Sequence, residues 1–157
     1  MMTKAYEDTS VPKARSQEQI EKMLRKFGVQ AVRFTSFPSY ATLEFVRKEK
    51  DGRLSPYRIV IKPKVQSCAR YPEKELDRAE RQVWRVAYWW IKAKIEAVEF
   101  GLVEFQEDFL PYLMVADSQG RTGTVGGMLT ERLGGLVTSL EDPFGGLRRA
   151  LPTGEGK

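Results

Sequence analysis

Cations and aromatic rings are interleaved along the first two thirds of this chain. Single-stranded nucleic acid is held by that combination, because cations neutralise its phosphates and flat rings stack on its unpaired bases. We expect Tyr57, Tyr71 and Trp89 to be the stacking rings. The candidate nucleic-acid-binding residues are Arg33, Arg47, Tyr57, Arg58, Lys62, Lys64, Arg70, Tyr71, Arg78, Arg81, Arg85, Trp89 and Lys92. The pattern therefore predicts a surface for single-stranded DNA or RNA, and no recognition-helix, zinc-finger or basic-zipper motif favours duplex reading.

The charge distribution favours the same kind of partner. Residues 1–94 carry 21 Lys and Arg against 11 Asp and Glu, a balance of +10, whereas residues 95–157 carry 5 against 10, a balance of −5. Such an imbalance is typical of a chain with a polyanionic partner. The alternative is that the acidic C-terminal part folds back and neutralises the basic part.

Several catalytic classes are excluded by composition. The chain has no histidine, which removes His-based acid–base catalysis and every His-containing metal site. The single Cys68 excludes thiolate metal clusters and disulfides within one chain. Glu104, Glu107 and Asp108 have helical spacing, and a carboxylate-metal nuclease would need a second acidic cluster that the sequence lacks. We therefore predict a protein that is not an enzyme and that has no metal or cofactor.

Length and hydropathy indicate a single soluble domain. A chain of 157 residues with 41% hydrophobic and 30% charged residues suits one globular unit. No apolar run approaches the roughly 18 residues needed to cross a bilayer, and residues 1–16 lack the apolar segment of a secretory signal. We expect a cytoplasmic protein without a membrane partner.

One long helix is predicted to position the cations and the exposed ring. Residues 73–100 contain no Pro or Gly and are bounded by Pro72 and Gly101. Helical spacing places a basic stripe beside the apolar face. The basic stripe consists of Lys74, Arg78, Arg81, Arg85 and Lys92, with Trp89 at its edge. Trp90 falls nearer the core, which leaves Trp89 exposed, capped by another element or used for binding.

The basic stripe has an ordinary explanation as well. A helix needs a solvated face, and Glu73, Asp77 and Glu80 are spaced to pair with its cations. On that interpretation the stripe binds nothing.

The remaining elements complete an α+β fold. Ser16 and Gln19 match a capping box that opens a helix ending at Gly28. Three strands follow: one starts at Val29 and is broken by Ser36, and the others cover residues 41–48 and 57–63. A type I′ hairpin is expected at Asp51-Gly52. In the last strand Tyr57, Ile59 and Ile61 alternate with Arg58, Val60 and Lys62, which predicts one apolar and one basic sheet face.

The C-terminal third is predicted to pack back on the long helix. Residues 103–113 indicate a second helix, residues 114–125 a strand end and loop, and residues 128–140 a last helix weakened by glycines. The whole is an N-terminal helix, a three-stranded antiparallel sheet, a long helix packed on the sheet and short C-terminal helices. The expected organisation is a flexible arm over 1–15, one domain over 16–140 and a flexible tail over 141–157.

Lys94 is expected to form a structural ion pair. It falls inside the apolar arc of the long helix, where an unpaired ammonium is costly. Glu104, Glu107 and Asp108 from the next helix are the carboxylates within reach.

The long helix resembles one found in small uncharacterised proteins encoded in bacteriophage and prophage genomes. The similarity covers residues 80–130. It rests on Glu80, Arg81, Trp84, Arg85, Ile91, Lys92, Ala93, Lys94, Ile95, Glu96, Ala97 and Val98. The resemblance implies a viral origin, a small accessory role and a location in the host-cell cytoplasm, and a viral single-stranded DNA-binding protein is consistent with it.

A second function class stays open. The chain would then be a phage interaction protein that binds and inhibits a host polymerase, nuclease or defence factor. Trp89, Trp90 and the acidic C-terminal segment would form its contact surface. A homodimer in which paired long helices cover Trp89 or Trp90 is a further alternative.

Overall fold

A three-stranded antiparallel meander forms the centre of the fold, in the order β1-β2-β3. The computed structural model describes residues 5–64 and 72–137, with side chains in the last helix as far as residue 132. The strands are β1 (Val29–Ser36), β2 (Ala41–Lys48) and β3 (Leu54–Ile61). The predicted sheet is confirmed, and β3 begins earlier than expected because Leu54 pairs with Lys48.

Two long helices cover one face of this sheet. They are α1 (Lys13–Arg25) and α2 (Pro72–Glu99). α2 ends as predicted at Gly101, whose φ of +71° allows the Leu102 amide to bond the carbonyl of Ala97 at 3.0 Å. This Schellman closure leaves Phe100 and Leu102 84% and 81% exposed.

The hydrophobic core lies between the sheet and the helices. Its members come from all of these elements and from the first C-terminal helix, α3 (Phe105–Phe109). The most deeply buried apolar side chains are Ile20, Leu24, Leu43, Phe45, Tyr57, Trp84, Ile91, Phe105 and Phe109. The predicted α+β architecture, with the long helix packed on the sheet, is therefore confirmed.

The start of α1 differs from the prediction. The helix begins at Lys13 after Pro12, and no side-chain hydrogen bond caps it. Ser16 is fully buried and its Oγ has no hydrogen-bond partner among the described residues, so the predicted capping box at Ser16 is wrong. A capping box does occur at α3, where Glu104 and Glu107 satisfy each other's backbone amides.

The C-terminal elements are shorter than predicted. The expected helix over 103–113 is α3 followed by a 3₁₀ turn (Leu110–Tyr112), because Pro111 cannot continue an α-helix. A small hairpin follows, with β4 (Met114–Ala116) and β5 (Thr122–Thr124). Then α4 (Val125–Val137) begins three residues earlier than expected. The predicted tail over 141–157 lies outside the described residues.

The β2–β3 and β4–β5 turns each use a glycine at a positive φ. The Gly52 amide bonds the Glu49 carbonyl at 3.0 Å, and the Gly120 amide bonds the Asp117 carbonyl at the same distance. In each case only the glycine has a positive φ, so the turn is a three-residue loop with a bulge and the predicted type I′ turn is wrong. No helix in the described part of the chain is long and apolar enough to span a membrane.

Candidate nucleic-acid interface

The cations of the basic stripe already have polar partners within the protein. The partners are Glu7 and Asp8 for Arg78, Asp77 for Arg81, Gln19 for Arg85 and Glu96 for Lys92. Arg81 and Lys92 each form an exposed ion pair with a carboxylate one helical turn away on α2. Such surface pairs contribute roughly 0–1 kcal/mol, so these cations remain available to a stronger anionic partner.

Trp89 is the exposed ring of α2, with 40% of its surface accessible. The guanidinium of Arg85 lies 5.2 Å from its ring centroid and the ammonium of Lys92 lies 5.5 Å away. Tyr88 packs edge-on against the indole at 5.1 Å. Trp90 is half-buried, and its ring centroid lies 5.4 Å from that of Tyr112. The prediction that Trp90 lies nearer the core than Trp89 is therefore confirmed. Cations and an accessible π-face therefore meet at one place on the helix.

The N-terminal residues lie across this edge of α2. The ring of Tyr6 is parallel to the indole of Trp89, with 6.5 Å between centroids and 12° between planes. The Gln82 amide donates to the Ala5 carbonyl at 2.8 Å. Within the range 1–15 expected as a flexible arm, residues 5–9 thus contact α2 through a ring and carboxylates, and α1 begins at Lys13.

The face of the sheet that α1 and α2 do not cover, named here the uncovered sheet face, carries a row of three charged residues. Arg33, Glu44 and Arg58 are direct neighbours across β1, β2 and β3. Arg33 Nε donates to Glu44 Oε2 at 2.7 Å, and Arg58 Nε donates to Glu44 Oε1 at 2.8 Å. Partial burial acts to raise the pKa of Glu44, but the hydrogen bonds and charges of the two arginines outweigh it and lower that pKa. The two guanidiniums thus share one carboxylate.

Lys62 and Lys64 extend the positive charge beyond the end of β3. Both are exposed, and neither forms an ion pair with any residue that the structure describes. Arg70 and Tyr71 lie outside the described residues. This part of the predicted surface is basic and lacks an accessible aromatic ring among the described candidates.

Tyr57 and Arg47 are internal, and their predicted role in binding is wrong. Tyr57 is 2% exposed, stacks on Phe45 at 5.0 Å and donates its hydroxyl to Glu49 Oε1 at 3.2 Å. Burial, followed by the charge and the hydrogen bond of Glu49, raises the pKa of Tyr57 to about 12. The alternation with Ile59 and Ile61 already placed this ring on the apolar face.

Arg47 belongs to the same internal network. Its guanidinium pairs with Glu49, donates from Nε to the Phe27 carbonyl at 2.8 Å and lies 4.4 Å from the ring centroid of Phe105. The side chain is 14% exposed. Arg47 therefore closes one end of the core.

The predicted residues do not form one continuous surface. Strand alternation directs Arg33 and Arg58 away from the core, whereas α1 and α2 cover the opposite face of the sheet. Trp89 on α2 and Arg58 on β3 therefore lie on opposite sides of the sheet. The described residues form two smaller basic areas, and of the predicted rings that the structure describes, the exposed one lies on α2.

Trp89 and the basic stripe beside it form a surface named here the α2 edge. Sequence reasoning missed the other residues that contribute to this surface. Tyr6 and Tyr88 contact Trp89, Gln82 donates to the Ala5 carbonyl, and Glu7 and Asp8 pair with Arg78. The position of Tyr88 beside Trp89 could have been predicted from the spacing on α2. No sequence pattern near residues 5–9 predicts that they contact α2. Within residues 5–64 and 72–132, no three Cys, Asp or Glu side chains are grouped to hold a metal ion.

The α2 edge is thus defined by this chain's own geometry: an exposed indole, two cations beside it and a further arginine about three turns away. Comparisons with protein-family models, with curated proteins and with solved structures gave no match to this chain.

Proposed function

We propose that this protein binds single-stranded nucleic acid, most readily DNA, along the exposed edge of α2. The observation that carries the proposal is the position of Trp89, 40% exposed with Arg85 and Lys92 within 5.5 Å of its ring. An unpaired base would stack on the indole, and the two cations would meet the phosphates on either side.

Each residue of the α2 edge has a distinct role in this proposal. Trp89 supplies the stacking platform, and Arg85 and Lys92 neutralise the phosphates next to the stacked base. Arg78 and Arg81 extend the positive track towards the N-terminal end of the helix. The parallel ring of Tyr6 supports the stacking role, because the accessible side of the indole already accommodates a flat ring.

The remaining cations are assigned no direct contact with that strand. Arg33 and Arg58 lie on the uncovered sheet face and are shared with Glu44. Together with Lys62 and Lys64 they contribute a long-range positive field, which raises the rate of association and falls with ionic strength.

We propose further that the protein is a phage-type accessory protein acting in the host-cell cytoplasm. The support for this is the resemblance of its long helix to those of small phage and prophage proteins. No catalytic step is included in the proposal.

A protein-binding role is the second candidate, and a different observation favours it. Phe100 and Leu102 project from the end of α2 with 84% and 81% of their surfaces exposed. Large apolar side chains at such a tip are typical anchors for a pocket on a partner. Because Trp90 packs on Tyr112, this tip replaces Trp90 as the contact expected for a host-protein inhibitor.

Fluorescence anisotropy distinguishes the two candidates. Labelled oligo-dT of 20 nucleotides and a matched duplex would be titrated at two salt concentrations, with tryptophan emission followed in parallel. We expect salt-dependent binding of the single strand, weaker binding of the duplex and quenching of the indole. Failure to bind oligo-dT even at low salt contradicts the proposal and leaves the basic stripe as a solvated helix face.

A further inference from the structure

Residues 5–9, named here the N-terminal strap, present to α2 the same chemical groups that a nucleotide would present. Tyr6 places a flat ring parallel to the indole of Trp89. Glu7 Oε1 and Asp8 Oδ1 lie 3.1 and 3.0 Å from Arg78 Nη2, where anionic phosphate oxygens would bind. The strap and a single strand of nucleic acid therefore compete for the same groups.

The strap is held in a strained backbone conformation. Tyr6 has a φ of +58°, in the left-handed region that a bulky residue rarely adopts. The Thr9 amide closes the turn by bonding the Tyr6 carbonyl at 3.1 Å, and Arg78 Nε donates to the Glu7 carbonyl at the same distance. Contacts with α2 thus maintain a conformation that the local sequence does not favour.

The attachment of the strap is shallow. Tyr6 is 43% exposed, and the Asp8 side chain that pairs with Arg78 is 93% exposed. Solvent screens such ion pairs, and a ring stacked at the surface adds little more. A polyanion that offers several phosphates and bases at once can displace the strap without disturbing the core.

We propose that the N-terminal strap is an intramolecular competitor that occupies the α2 edge in the free protein and is displaced by single-stranded nucleic acid. The inference rests on the proposed function. Only chains with an open strap bind, so the apparent affinity is the intrinsic affinity multiplied by the open fraction. Short or weakly charged ligands gain too little binding free energy to displace the strap, so the free protein does not bind them.

The strap also changes the salt dependence of binding. Glu7 and Asp8 already neutralise Arg78 in the free protein, so a phosphate that replaces them at Arg78 adds little to the slope of log K against log salt. On a single strand, each phosphate that a free cation neutralises steepens this slope by about 0.7. A chain with a disabled strap is therefore expected to have a slope steeper by about 0.7, the contribution of Arg78.

The test compares the full chain with a strap variant, Tyr6→Ala, Glu7→Gln and Asp8→Asn together. Glu18→Gln with Glu131→Gln is the control, since it makes the same change in net charge at exposed positions outside the strap. Labelled oligo-dT of 20 nucleotides is the probe. We expect the strap variant to bind about tenfold more tightly and the control less than about threefold more tightly.

A readout without nucleic acid checks that the strap is closed in the free protein. Acrylamide quenching of tryptophan emission should increase in the strap variant, and this increase should vanish when Trp89 is replaced by Phe in both chains. Unchanged quenching would overturn the inference, because the ring of Tyr6 would then not cover Trp89 in solution.

The outcomes separate the strap from the proposed function. Equal binding by the full chain and the strap variant refutes the strap and leaves nucleic-acid binding intact. Weaker binding by the variant also refutes it, because residues 5–9 would then contribute contacts to the ligand. If neither chain binds oligo-dT, the proposed function fails and the competition fails with it.

Discussion

Lys94 on α2 and Asp108 on α3 form an ion pair at the edge of the core, with 3.0 Å between Nζ and Oδ1. The ammonium also donates to the Asp108 carbonyl at 3.1 Å, and it lies 5.2 Å from the ring centroid of Trp90. The two side chains are 18% and 22% exposed. This pair confirms the ion pair expected from the position of Lys94 in the apolar arc.

Replacement of Lys94 by Met is expected to lower the free energy of unfolding by about 2–3 kcal/mol, because Asp108 would keep its charge with little water and no cation. Lys92→Met is the matched control, since Lys92 pairs with Glu96 at a more exposed position and its loss should change stability far less. Urea denaturation of both variants measures the difference. Equal destabilisation of the two variants would contradict a buried structural role for Lys94.

Replacement of Trp89 by Ala is expected to weaken binding of oligo-dT by about 1–3 kcal/mol, the usual contribution of one stacked base. Phe37→Ala is the matched control, because Phe37 is similarly exposed at 42% and stacks on Tyr40 in the turn between β1 and β2. Both substitutions are made in the strap variant, in which Tyr6 does not compete for the indole. Their affinities for oligo-dT are then measured by anisotropy titration. Equal affinities of the two variants would exclude Trp89 from the site.

Replacement of Arg81 and Arg85 together by Glu is expected to reduce oligo-dT binding by at least about a hundredfold. The salt slope should fall by about 0.7, the contribution of Arg85, because Asp77 already neutralises Arg81 in the free protein. Lys62→Glu with Lys64→Glu makes the same charge change beyond the uncovered sheet face, and it should reduce affinity far less. Both proteins should retain their circular dichroism. A similar reduction in the two variants would mean that net charge, rather than the α2 edge, determines binding.

Alkaline stability is expected to depend on Tyr57. Its pKa is raised from 10.0 to about 12, so between these values the unfolded chain releases a proton that the folded protein keeps. The stabilisation is complete below pH 10 and is lost as the pH rises through 12. Denaturation from pH 9 to about 12 should show a smaller decline for Tyr57→Phe than for the unchanged chain. Parallel declines would contradict the buried Tyr57–Glu49 contact.

The parts of the fold that were predictable depend on local periodicity. Alternation over residues 29–36 and 41–48 gave β1 and β2, and Pro72 and Gly101 gave the ends of α2. Register follows from burial of one face, since Leu43 and Ile59 are neighbours on β2 and β3. Each of these patterns involves residues of a single helix or strand, so it can be recognised in the sequence alone.

The parts that were not predictable depend on contacts between distant residues. Arg47 pairs with Glu49 and donates to the Phe27 carbonyl, 20 positions away, although its residue type alone indicated a binding surface. Arg78 pairs with Glu7 across 71 positions of the chain. Because of this contact, residues 5–9 occupy a basic helix face that would otherwise be open. No periodic pattern in the sequence predicts such a contact.

The packing of α1 against α2 fixes an order of events during synthesis. Ile20 and Leu24 belong to a core that is completed by Trp84 and Ile91, and α2 begins 47 residues after α1 ends at Arg25. At about 5–20 residues per second, a ribosome needs roughly 2–9 seconds to make that interval. The three strands can pair as they emerge and cover part of the apolar face of α1, whereas the part that packs on α2 stays in water until α2 is made. Slow codons between residues 25 and 72 would therefore prolong the stage at which the nascent chain is most prone to aggregate.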